Sequence, residues 1–141
     1  MKFLDANIIL RYLVRDDLKK AEHCYELFQK VKNGDIEITT CEAVIAEVVY
    51  VLSSPKLYNL PRDEICSILL PILNLNGLKI FQKQLYISAL NIYASNNIDF
   101  EDAICVAYMQ KYKIKEILSY DSDFDKIEEI KRLEPWQSLK K

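Results

Sequence analysis

Apolar residues fall in short bursts along the chain, and the bursts switch between two periods. Residues 2–5 (KFLD) read as a short, fully buried strand, and residues 6–14 (ANIILRYLV) follow at once with helical spacing. In the next segment Leu18, Ala21, Tyr25, Phe28 and Val31 recur every three or four positions. Asp16 or Asp17 can cap its start, and Gly34 ends it. Residues 36–40 (IEITT) form a β-branched strand pattern. Residues 41–54 (CEAVIAEVVYVLSS) are apolar nearly all round, which predicts a helix buried mid-protein and stopped by Pro55. Another helix starts near Pro61, and Pro71 is expected to kink or shorten it. Residues 78–81 (LKIF) are strand-like, and residues 83–97 and 100–112 are helical. The second of these places Ile104, Ala107, Tyr108 and Lys111 on one face. Residues 116–120 (EILSY) and the segment around 129–133 (EIKRL) close the series as strands.

Strands and helices therefore alternate from end to end. That order predicts an α/β sandwich on a mostly parallel sheet. There is no internal repeat and no linker, and 141 residues fit one domain, 1–141. In such sheets ligands bind beyond the carboxyl ends of the strands.

Composition narrows the chemistry. Half the residues are hydrophobic, enough for a real core. The net charge of −2 is not that of a protein that coats nucleic acid, so a nucleic-acid substrate needs a local basic rim. Candidate rims are Arg11 with Arg15, one helical turn apart, and Lys111, Lys113 and Lys115. Cys24, Cys41, Cys66 and Cys105 are widely spaced, and the lone His23 completes no zinc set with them, so reduced and buried thiols are expected. The N-terminal run is interrupted by Asp5 and Arg11 and is not read as a signal peptide, nor is any stretch apolar enough to span a bilayer. A cytoplasmic protein is expected. The terminal LKK is expected to fray.

The acidic residues are the remaining candidates for chemistry. Asp5 ends the first strand. It can cap the following helix, or serve as a strand-end ligand with Asn7 holding its carboxylate. Glu47 lies among apolar residues, where an unpaired buried carboxylate is costly, so it is paired with an internal Arg or Lys, points out through a gap, or is functional. Asp99 is a good helix cap, and Asp102 falls three residues on at capping-box-like spacing, ahead of an apolar run that turns this helix start toward the interior. Glu101 projects about 100° away from Asp102 on the helix and is expected to face solvent. Asp121, Asp123 and Asp125 follow a strand, where a polar turn is the plain reading. If Asp5, Glu47, Asp102 and Asp121 converge, they cannot all stay ionised without a cation, and the natural one is Mg²⁺ or Mn²⁺. Such sites hydrolyse phosphodiesters in line.

The run of FLDANIIL, AVIAEVVY, DFEDAICVAY and LSYDSDF resembles the PIN-domain nucleases, and within them most of all the VapC-type toxins of toxin–antitoxin pairs. The resemblance extends from Leu4 to Phe124 in the right order. It implies a three-layer α/β/α sandwich and a metal-dependent endoribonuclease. Asp5, Glu47, Asp102 and Asp121 would be its catalytic and metal-binding acids. Asn7, Asp99 and Asp123 match supporting positions, and Ser119 stands where the family often has Thr, with a hydroxyl able to bond Asp121. The resemblance further implies an RNA substrate, a small antitoxin partner and a homodimer. Two related alternatives are an RNA-processing nuclease outside toxin pairs and an inactive binding module on the same fold. A phospho-acceptor domain fits poorly: the first strand offers only Asp5, and no strand-ending Asp occurs mid-chain.

Overall fold

In a computed structural model, which describes residues 1–139, β1 (Lys2–Phe3) runs parallel to β2 (Ile38–Thr39). Lys140 and Lys141 of the expected tail lie outside the described residues. Between the two strands stand α1 (Ala6–Val14) and α2 (Leu18–Lys32). Then come α3 (Glu42–Ser53), α4 (Arg62–Leu73), α5 (Lys83–Ser95) and α6 (Phe100–Lys111). The chain closes with β3 (Glu116–Leu118), a 3-10 turn over Ser122–Lys126, β4 (Lys131–Leu133) and α7 (Pro135–Ser138). β3 and β4 are parallel too, so among the described residues the strands form two short parallel pairs, not one continuous sheet.

The ends of several elements follow from local chemistry. The Asp17 carboxylate accepts from the Lys20 N–H at 3.1 Å and caps α2, while Gly34 leaves that helix at a φ of +83°. Gly77 is required by contact: an added Cβ would lie 2.3 Å from the Ile36 carbonyl and 2.7 Å from that of Val31. This tight turn lets the Gly77 carbonyl accept from Ile38 at 2.9 Å, and Leu78 then makes a single parallel bridge to Ile38. The strand expected over 78–81 is reduced to that bridge, and Phe81 is exposed. α4 contains Pro71 and ends two residues after it, at Leu73.

The core is built mainly from the helices. Val48, Leu52, Ile65, Leu90, Ala103 and Val106 are essentially sealed from water, each large aliphatic contributing about 1.5–3 kcal/mol. Four expectations about burial need correction. β1 is not fully buried: Leu4 is enclosed, but Phe3 stands open because β1 pairs on one side only. On α2 the buried line is Ala21, Cys24, Phe28 and Val31; Leu18, in the first helical turn, and Tyr25, on the flank, are exposed. Tyr108 is half exposed on α6. Cys24 and Cys66 are buried free thiols, whereas Cys41 and Cys105 are free but exposed.

Candidate metal centre

Two neighbouring backbone pieces bring acids together. The first is the start of α6. Asp99 holds its N-cap position with extended backbone angles, but its carboxylate makes no capping bond. The plain capping explanation of Asp99 therefore fails, and the side chain instead lines a cavity together with Asp102. The second piece is the connection after β3. The Asp121 N–H donates to Ser119 Oγ at 3.0 Å, and Asp121 Oδ1 accepts from the Asp123 N–H at 2.9 Å. Ser119 is held in turn: its N–H donates to the Leu133 carbonyl and its own carbonyl accepts from Arg132. The Arg132 guanidinium also grips Asp125 through two bonds of 3.0 and 3.2 Å, tying the turn to β4.

These pieces converge on Asp102, Asp121 and Asp123, each with a carboxylate oxygen within 4.8 Å of the others. Burial pushes the Asp102 carboxyl above its usual range, and Asp121, Asp99, Asp123 and Glu101 push it further. The donor set is all oxygen and hard, and its charges repel one another. It fits a divalent cation such as Mg²⁺ or Mn²⁺ and does not suit a softer metal. Lys126 offsets part of the charge: its Nζ lies 2.9 Å from Asp123 and donates to the Asn97 carbonyl at 2.8 Å.

Asp5 and Glu47 stand apart from this group. Asp5 sits at the carboxyl end of β1, beyond Leu4. The Leu4 N–H donates to the Thr39 carbonyl at 2.8 Å, and its carbonyl accepts from the buried Thr40 hydroxyl at 2.8 Å. Asp5 occupies the N-cap of α1 without a side-chain capping bond, and it is exposed. No hydrogen bond joins it to Asn7 among the described residues; Asn7 faces a second cavity with Arg11, Lys20 and His23. Glu47 is exposed, not buried. The buried side of α3 is Val44, Ile45, Val48, Val49 and Leu52, and Glu47 shares the open side with Ala43 and Tyr50. The apolar composition of the helix disguised an ordinary two-faced one. Glu47 shares a shallow cavity with Glu42 and Glu101, so Glu101, exposed as expected, nevertheless faces a recess.

Of the cationic candidates, Arg11 pairs with Asp16 at 3.3 Å, and Asp16 also accepts from the Tyr58 hydroxyl. Arg15 follows one turn on as the C-cap of α1: its N–H donates to the Arg11 carbonyl at 3.3 Å, and it leaves the helix with a φ of +60°. Lys113 likewise leaves α6 in the left-handed region, and Lys111 lies over the Tyr112 ring.

The pattern of residues did not single out Lys126 or Arg62. Arg62 begins α4 and donates to the Tyr93, Asn96 and Ile98 carbonyls and to Asn97 Oδ1, holding the segment that leads into Asp99. A cation in a first helical turn opposes the helix dipole, which was a usable signal.

With this geometry in view, comparisons with known proteins add two findings. Residues 2–130 match the family model described as PIN domain. The chain is 27% identical over 127 residues to a VapC ribonuclease of Aquifex aeolicus (strain VF5), covering 90% of this chain and 92% of that protein.

Proposed function

The chain belongs to the PIN domain family, and from that premise we propose that it is a metal-dependent endoribonuclease, the toxin of a toxin–antitoxin pair. The observation that carries the proposal is the group Asp102, Asp121 and Asp123, three carboxylates drawn together with Asp102 pushed toward protonation. The similarity to a VapC ribonuclease along nearly the whole chain supports both RNA as substrate and the toxin role. On this reading the whole of 1–141 is one nuclease domain, a three-layer α/β/α sandwich. It works in the cytoplasm as a homodimer, with a small antitoxin as its inhibitor. No helix among the described residues is long and apolar enough to cross a membrane.

Asp102, Asp121 and Asp123 are the proposed ligands of Mg²⁺ or Mn²⁺. Bound there, the cation supplies a more acidic water and neutralises charge developing at phosphorus. The protein's part is positional. Ser119 fixes the Asp121 backbone, and Asp121 in turn fixes that of Asp123. Asp5, next to Leu4, which Thr39 and Thr40 hold, and Glu47, on the open face of α3, complete the acidic rim as the outer catalytic and metal-binding carboxylates. Asn7 and Asp99 support that rim. Arg11 and Arg15 are proposed to take the RNA backbone. Arg11 shares its recess with Lys20 and His23, a local basic lining on a chain whose net charge is −2.

The test is cleavage of a mixed structured-RNA pool with Mn²⁺, by wild type and Asp102→Asn, with an EDTA control. Cleavage that needs the metal and disappears in the variant is the expected result. Wild-type cleavage that persists in EDTA would overturn the reading.

A further inference from the structure

Beside the acidic group lies a cavity of about 540 Å³ whose lining extends well beyond that group. Asp102 belongs to both. The rest of the cavity is of a different kind. Tyr50 stands at it largely exposed, Ser53 is next along α3, and Arg62 and Tyr93 line it from α4 and α5.

Arg62 is the informative residue. Nη1 donates to the Tyr93 carbonyl at 3.2 Å, to that of Asn96 at 3.1 Å and to that of Ile98, while Nη2 reaches Asn97 Oδ1 at 3.3 Å. Its Cζ lies 4.3 Å from the centre of the Tyr93 ring. Nη1 is thus spent on the protein and Nη2 in part, and one of the two flat faces of the guanidinium is covered by Tyr93. What it offers the cavity is the other face. Asp99, Glu101 and Asp102 also line the cavity and repel an anion. A flat, neutral group with N–H donors suits all of these features, since the guanidinium face and the Tyr50 ring stack it and the carboxylates accept from its edge. Among the parts of a single RNA strand, only the base has this character.

Resting on the nuclease reading, we infer that this cavity receives an unpaired nucleobase next to the scissile phosphate, stacked on the free face of Arg62. It favours bases that present an amino group to Asp99 over uracil.

The test compares binding of two labelled probes at low ionic strength with Ca²⁺: a random single-stranded RNA ten-mer and an abasic backbone of the same length. The wild type should bind the RNA about tenfold or more tightly than the abasic strand. Ser53→Trp, which fills the cavity from a side chain bonded only to its own helix, should remove the preference and leave abasic binding unchanged. Arg62→Lys keeps the charge but not the plane and should reduce the preference. Backbone amide shifts of the wild type on adding the RNA should cluster at 49–53 and 93–102, a readout that needs no variant. Equal binding of the two probes overturns the inference, as does a preference that survives in folded Ser53→Trp or amide shifts confined elsewhere. Cleavage in Mn²⁺, measured separately, tells the two readings apart. Cleavage without base preference removes only the cavity, and base preference without cleavage removes only the nuclease.

Discussion

Asp102→Asn should make the metal-free protein more stable while abolishing its proposed activity. Asp102 has carboxylate neighbours within 4.8 Å, and burial already disfavours its charge. Coulomb's law at that distance gives about 0.9 kcal/mol per neighbour in bulk water and about 3.5 kcal/mol at an effective dielectric of 20. Asp123 is partly neutralised by Lys126 at 2.9 Å, so Asp121 supplies most of the net repulsion. A gain of about 1–2 kcal/mol in EDTA at neutral pH follows, seen as a Tm rise of about 3–8 °C. The gain depends on pH in a defined sense. The folded-state pKa is raised above 3.8, so the cost of the ionised acid is fully present above that raised value. It is relieved as the pH falls through the raised value toward 3.8, where wild type takes up the proton itself. The advantage of the variant should therefore shrink across that window. Saturating Mn²⁺ should reverse the order, because a cation at a hundred times its Kd adds about 2.7 kcal/mol to wild type alone. Thermal unfolding of both proteins, in EDTA and in Mn²⁺ across pH, gives the answer. A lower Tm for the variant in EDTA, or an advantage that does not change with pH, would refute the argument.

Other substitutions separate the roles of the acids from those of the scaffold. Glu47→Gln should change stability in EDTA by no more than about 0.5 kcal/mol, because the side chain is exposed, while lowering cleavage; urea unfolding beside the RNA assay checks both halves. Asp121→Asn keeps the oxygen that accepts from the Asp123 N–H and should preserve Tm while weakening Mn²⁺ binding at least tenfold in a calorimetric titration. Asp121→Ala loses that bond as well and should cost about 1 kcal/mol more. Gly77→Ala should destabilise by about 3 kcal/mol or more, since its Cβ would meet two backbone carbonyls that cannot both retreat; an unchanged urea midpoint would contradict the packing of that turn.

Much of the fold was readable from spacing. α1, α3, α5 and α6 lie within two residues of their expected ends, because helical periodicity, and Pro55 after α3, act locally. Burial was less readable. Glu47 and Tyr108 sit in apolar runs yet face outward, since a run of apolar letters does not say which side another element will cover. The site divided in the same way. Asp102 and Asp121 could be marked out from their places at a helix start and a strand end. The importance of Asp123 depends on a short backbone hydrogen-bond chain through Ser119 and Asp121. Arg62 reaches its partners more than 30 positions along the chain, and no local pattern announces that.

The division of the strands into two separate pairs bears on how the protein opens. Asp102 rides on α6, whereas Asp121 and Asp123 ride on the connection between β3 and β4. That terminal piece docks through Phe124, Ile127 and Ile130 and through the Lys126 bond to Asn97, with no strand hydrogen bonds to β1 or β2 among the described residues. Repelling carboxylates thus lie across a seam, and detachment of the C-terminal piece is a sub-global opening that the architecture favours. The proposed cation, gripping both sides, would act as a clasp. In amide exchange its binding should slow the protons of β3 and β4 most, and leave those of α2 as they were.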